Sequence, residues 1–101
     1  MSHPADGAVN VPVDTYITVK FSEDMNAASI DSDSFVLTDA SGNIVSSTVS
    51  YDDPTKTATS IPNKNLVAKT SYTATITTGI KDLIGNSMAR DYAFSFTTKG
   101  L

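Results

Sequence analysis

The chain has 101 residues, no cysteine, seven basic and eleven acidic residues, and a formal net charge of -4 at pH 7. That length suits one domain with one core, and the missing cysteine excludes disulfide scaffolds and thiolate metal sites. The acidic balance makes nucleic acid and anionic membrane poor partners, since both need a positive patch. Every acidic residue but Glu23 is an aspartate, and aspartate favours turns where glutamate favours helices. No apolar run reaches the length needed to cross a membrane. No leader pattern opens the chain, so a secreted parent would carry it as an internal domain of a larger, multidomain protein.

In chain order the dominant period is two. Residues 1–3 are set aside from the fold, and Pro4 reads as a rigid lead-in. Val9, Val11 and Val13 alternate first, then Ile17, Val19 and Phe21. A short helical turn is expected within 23–30, with Ser22 or Asp24 as its N-cap. Phe35 and Leu37 follow, then Val45, Val49 and Tyr51, then Tyr72, Ala74 and Ile76, and last Tyr92, Phe94 and Phe96. Alternation of this kind marks strands with one buried face, and the Thr and Ser between suit the solvent face. Asp6-Gly7, Ser41-Gly42-Asn43, Asp52-Asp53-Pro54 and Ile84-Gly85-Asn86 punctuate the runs. The predicted strands are 8–12, 16–21, 34–38, 43–51, 57–61, 71–77 and 92–98. Strands at about ten-residue spacing predict an all-β, seven-stranded antiparallel immunoglobulin-like β-sandwich of Greek-key type. Residues 99–101 read as an exit linker.

Two segments near the C-terminal end carry most of the signal. Tyr72, six residues after Leu66, sits where such sandwiches place a tyrosine whose hydroxyl bonds back to upstream backbone. Its ring would fill the gap between sheets, with Leu66 plugging the end of the core. Residues 81–86 form a tight loop ahead of the strand that carries Phe94 and Phe96. There Gly85 or Asn86 is expected to take a positive φ.

Chemistry is sparse. His3 is the only histidine, so no Ser-His or Cys-His pair can be built. The adjacent carboxylates Glu23/Asp24 and Asp52/Asp53 point apart, unlike a glycosidase pair across a cleft. Calcium would take clustered carboxylate and carbonyl oxygens, for which Asp82, Asn86, Glu23 and Asp24 are the candidates, with Asp31 and Asp33 in a third loop. Local capping of backbone N–H groups by Asp82 and Asn86 is the favoured reading, and no cofactor is expected. For a polysaccharide ligand there is no tryptophan, and only Tyr16 and Tyr92 fall outside the buried sets. Thr57 and Thr59, and Thr73, Thr75 and Thr77, read as ordinary solvent-face residues. The isolated domain is expected to be a monomer, with Pro12, Pro54, Pro62 and Lys56 guarding strand edges.

Pro4 to Pro12, Phe21-Ser-Glu-Asp-Met25, Leu66 to Ile76, Lys81 to Asn86 and Phe94 to Thr98 occur in the order seen in one family. The chain resembles the bacterial Ig-like domains of the S-layer-associated type, usually counted as family five, over nearly its whole length. One position departs: the residue two before Pro62, usually bulky and apolar, is Ser60. That departure predicts a strand 57–61 less buried or shifted in register. The resemblance implies a domain of secreted or surface-anchored bacterial or archaeal proteins, beside catalytic or adhesive domains or in tandem arrays. The implied role is spacing, display and mechanical continuity, with neighbouring domains of the same polypeptide as partners. The alternative is a binding module for glycan, protein or calcium-dependent adhesion.

Overall fold

The computed structural model describes residues 2–88 and 90–100; Met1 and Leu101, the outer residues of the two terminal stretches, fall outside them. Eight strands form: β1 Ser2–His3, β2 Ala8–Val11, β3 Ile17–Lys20, β4 Phe35–Asp39, β5 Ser47–Asp52, β6 Thr57–Pro62, β7 Ser71–Ile76 and β8 Tyr92–Thr98. One sheet has the order β1-β3-β6-β5 and the other β2-β8-β7-β4. The two inner faces enclose one cluster in which Phe35, Phe94, Phe96, Ile17, Leu37, Ile76 and Ile80 are fully buried. Each such large apolar side chain contributes about 1.5–3 kcal/mol on burial.

Three features depart from the sequence expectation. The strand count is eight rather than seven, because Ser2 and His3 pair with Val19 and Thr18 at the edge of the first sheet. The pairing is not wholly antiparallel: β2 runs parallel to β8, with Ala8 opposite Phe96 and Val11 opposite Thr98. The register also shifts between those two pairs. Asn10 takes φ 56 there, and an extra residue at such a bulge breaks the two-residue alternation. Val11 is therefore buried while Val9, expected beside it in the core, is 67% exposed.

The first predicted strand ends at Val11 rather than at 12, and the fourth begins at Ser47 rather than at 43. Residues 43–46 leave the ladder and are held by Val45 N–H to Leu37 O, Asp39 N–H to Asn43 O, Asn63 N–H to Ser46 O and a bridge between Thr38 and Ile44. The helical turn is a 3₁₀ turn over Ala27–Ser29, and its cap is Asn26, whose side chain accepts from Ala28 N–H. Neither Ser22 nor Asp24 serves, because Met25 is buried in a bridge to Asp82 and keeps the chain extended to that point.

Strand 57–61 is neither shifted nor less buried. Ser60 pairs with Ile17 on one side and Val49 on the other and has no exposed surface. Its hydroxyl is the one buried side-chain oxygen or nitrogen without a hydrogen-bond partner among the described residues.

The strand directions define two poles. β1 and β2 both lead toward the 12–16 turn, and β8 runs the same way and ends beside Val11. The chain thus comes in at a proximal pole and leaves β8 at a distal pole of a body measuring 45 × 25 × 22 Å. The loops 21–34, 53–56 and 77–91 lie at the proximal pole, and 12–16, 40–46 and 63–70 at the distal one.

Candidate functional site

At the distal pole the side chains of β7 and β8 converge on one residue of the 63–70 loop. Tyr72, 3% exposed, accepts a hydrogen bond at its hydroxyl from Val67 N–H at 2.9 Å. Thr98, also 3% exposed, donates its hydroxyl to Val67 O at 2.6 Å and accepts from Thr70 N–H at 3.0 Å. Both backbone groups of Val67 are thereby satisfied by hydroxyls from adjacent strands, which lets the loop cross the sandwich end without an orphaned polar group. Leu66 is buried beneath, its N–H donating to Val13 O at 2.7 Å. The Tyr72 ring stacks on Phe96 at 5.9 Å, and Phe94 and Phe96 fill the core behind it. The hydroxyl of Thr98 had no signal in the sequence beyond a strand ending in two threonines.

At the proximal pole the 21–34 and 77–91 loops are stitched by backbone. Asn26 N–H donates to Lys81 O and Leu83 N–H to Asp24 O. Ser29 Oγ accepts from Lys81 N–H at 2.9 Å and donates to Asn26 O at 2.7 Å. Tyr51, read from the sequence only as a core residue, accepts from Met25 N–H at 3.0 Å. Its ring lies 6.4 Å from that of Phe21. The two loops of the sandwich that meet here are joined to β5 by that one hydroxyl, a pairing across 26 residues that no local pattern announces.

Asp82 organises the turn. Its Oδ1 accepts from Ile84 N–H at 3.0 Å and Asn86 N–H at 2.9 Å, and its Oδ2 from the Asn86 side-chain amide at 3.3 Å. Gly85 takes φ +97, a conformation that costs little only without a Cβ. These donors hold the Asp82 carboxyl below its ordinary value, the Asn86 N–H being the largest cause, while partial desolvation pulls the other way. Glu23 and Asp24 are exposed; Glu23 lines the same groove of about 200 Å³ as Asp82 and Asn86. Asp31 likewise caps its own turn, accepting from Asp33 and Ser34 N–H. Among the described residues no three acidic or histidine side chains stand together as a metal ion would need. His3 is exposed on the edge strand β1, so it faces no partner nucleophile within the core.

The profile of the bacterial Ig-like domain family matches residues 1–98. The chain belongs to that family. No curated protein matches it in sequence. Among solved structures, this Ig-like domain superposes on CopC from Methylosinus trichosporium OB3b with a TM-score of 0.78. That match covers 99% of this chain and 90% of that one, at 12% identity. Domains 1–6 of the surface layer protein SbsC match with a TM-score of 0.70 and 21% identity, over 92% of this chain and 13% of that one. The N-terminal part of the bacterial S-layer protein SbsC gives 0.71 and 21%, over 93% and 23%. The Ig-like domain thus spans a small part of each SbsC structure, and at these identities the likeness is one of fold.

Proposed function

We propose that this Ig-like domain is a non-catalytic spacer in a secreted or surface-anchored protein, setting its neighbours apart by its own long axis. The observation that carries this reading is the placement of the first and last strands: β1 begins with Ser2 opposite Val19, near the proximal end of β3, and β8 leaves at Thr98 beside Val11 at the distal end. Both ends of the sandwich are closed by backbone hydrogen bonds to hydroxyls, those of the buried Tyr72 and Thr98 at one end and of the half-buried Tyr51 at the other, an arrangement that favours a stiff unit over a hinged one. The Asp82 and Asp31 carboxylates are engaged in their own turns, which favours a structural part for them over a catalytic one. Tyr16 and Tyr92, the exposed tyrosines, sit at opposite poles and so do not make the paired platform a glycan would stack on.

The test is a direct fusion of two copies, measured by small-angle X-ray scattering. A spacer gives a maximum dimension close to twice that of one copy, with a rod-like profile. A compact particle, folded back on itself, would reject the reading.

A further inference from the structure

The two sheets leave an apolar opening between them near the proximal pole. Val19 and Phe21 on one side and Ile76, Met88 and Tyr92 on the other line a groove of about 530 Å³, with Lys20 and Ser22 at its edge. Val19 and Ile76 are buried, Phe21 and Met88 half-buried, and Tyr92 is 42% exposed. The groove opens beside the uncovered end of β8. The ladder to β2 starts only at Ala8 opposite Phe96, so among the described residues 92–94 are laddered to β7 alone. Apolar surface of this kind is unfavourable in water unless something covers it.

The ladder of β1 and β3 points to the cover. The two run antiparallel, with His3 opposite Thr18 and Ser2 opposite Val19. Each step upstream along the chain is therefore one step along β3 toward the groove. Lys20, Phe21 and Ser22, the next residues on that side, all line it. The chain is still in the sheet at Phe21, whose N–H donates to Lys56 O at 2.8 Å. Parity then selects the side chain. Residues directly opposite on antiparallel strands share a face, and so do residues two apart on one strand. Val19 faces the core, and Phe21 packs against the same core. A residue opposite Phe21 thus lies over the groove, whereas one opposite Lys20 lies on the solvent side, where Lys20 is exposed.

We propose that the segment entering this domain from an upstream neighbour continues β1 and seats an apolar side chain, two places before Ser2, in the groove of Val19, Phe21, Ile76, Met88 and Tyr92. The inference deepens the spacer reading and rests on it for the upstream neighbour. The ligand is an extended peptide, added to the sheet edge through its backbone and chosen by alternate side chains. It carries an apolar residue opposite Phe21 and a polar one opposite Lys20. Docked in this way the joint becomes part of the sandwich. The upstream neighbour is then held on the long axis instead of swinging on a free linker.

The experiment adds four residues ahead of Met1 in two orders of one composition, Gly-Ser-Thr-Leu and Gly-Ser-Leu-Thr. The first order puts leucine opposite Phe21, and the second turns it to solvent. Both are compared with the unextended chain by urea unfolding and by NMR. The expected result is a higher urea midpoint for the first order alone, with shifted resonances at Phe21, Ile76, Met88 and Tyr92. Tyr92→Ser, at an exposed ring, should reduce that gain. Equal midpoints for the two orders, or a gain that Tyr92→Ser leaves whole, would overturn the proposal. So would groove shifts that follow protein concentration in the unextended chain, by giving the groove to a second copy. Order-independent unfolding beside a rod-like two-copy fusion would remove the docked linker and leave the spacer. An order-dependent midpoint beside a compact fusion would keep the groove and remove the spacer.

Discussion

Single hydroxyls decide much of the stability at the sandwich ends. Tyr72→Phe leaves Val67 N–H without its acceptor and is expected to lower the unfolding free energy in urea by about 1–2 kcal/mol, the usual penalty for losing a buried hydrogen bond. Thr98→Val removes a donor and an acceptor together, and is expected to cost at least as much. An unchanged midpoint and slope for both variants would mean that water replaces these bonds without loss. Ser60 works in the opposite direction. Its hydroxyl is buried without a partner between Ile17 and Val49, so Ser60→Ala should raise stability by about 1 kcal/mol. A lower melting temperature for S60A would show that the hydroxyl has a partner after all. The sequence flagged Ser60 as a departure but gave the wrong consequence: the register was held by Ala58 on the same face and by six paired residues on β5, so one polar side chain was carried inward rather than the strand being moved.

At the scale of elements, the strands that obey strict alternation were legible from their residues alone. Tyr72, Ala74 and Ile76 point inward on β7, and Phe94 and Phe96 on β8, as their spacing requires. What could not be read were features made by distant backbone. β1 has no apolar pattern and exists only because β3 offers an open edge. The bulge at Asn10 inverts the parity of Val9 through a left-handed residue that composition does not mark. In the candidate loop, the residue types of the Asp82 turn were visible, whereas its stitching to residues 24–29 and the reach of Tyr51 came only with the fold. The turn makes its own prediction. Its carboxyl titrates below the ordinary value of 3.8 when folded and near that value when unfolded. The ionised contacts therefore stabilise at pH above that ordinary value and are lost as pH falls through the lower folded one. Asp82→Asn should be less stable than wild type at neutral pH, and the gap should narrow on acidification below 3.8. A gap independent of pH in paired urea titrations would remove the charge from this account. The same occupied carboxylate leads us to expect coincident thermal melts in calcium and in chelator, and a calcium-dependent rise would reinstate Asp82, Asn86, Glu23 and Asp24 as ligands.

For the whole molecule, the pairing of the first long strand with the last has a consequence for force. A pull between neighbours draws β2 back toward the proximal pole and β8 forward toward the distal one, because the two run parallel. Their cross-strand bonds lie across the line of tension and are sheared together instead of being unzipped one after another. Glycine at position 7 and the Asp6 carboxylate add two more ties to Ser95 along the same seam. Stretching the chain through its ends in an optical trap should give one abrupt rupture, at a force above that for a pull applied between residue 2 and the 53–56 turn, where the peeled strands meet the load in single file. Equal forces along the two axes would show that the seam is not what resists. A domain joined in this way would fail late and all at once, holding its length until the load that breaks it.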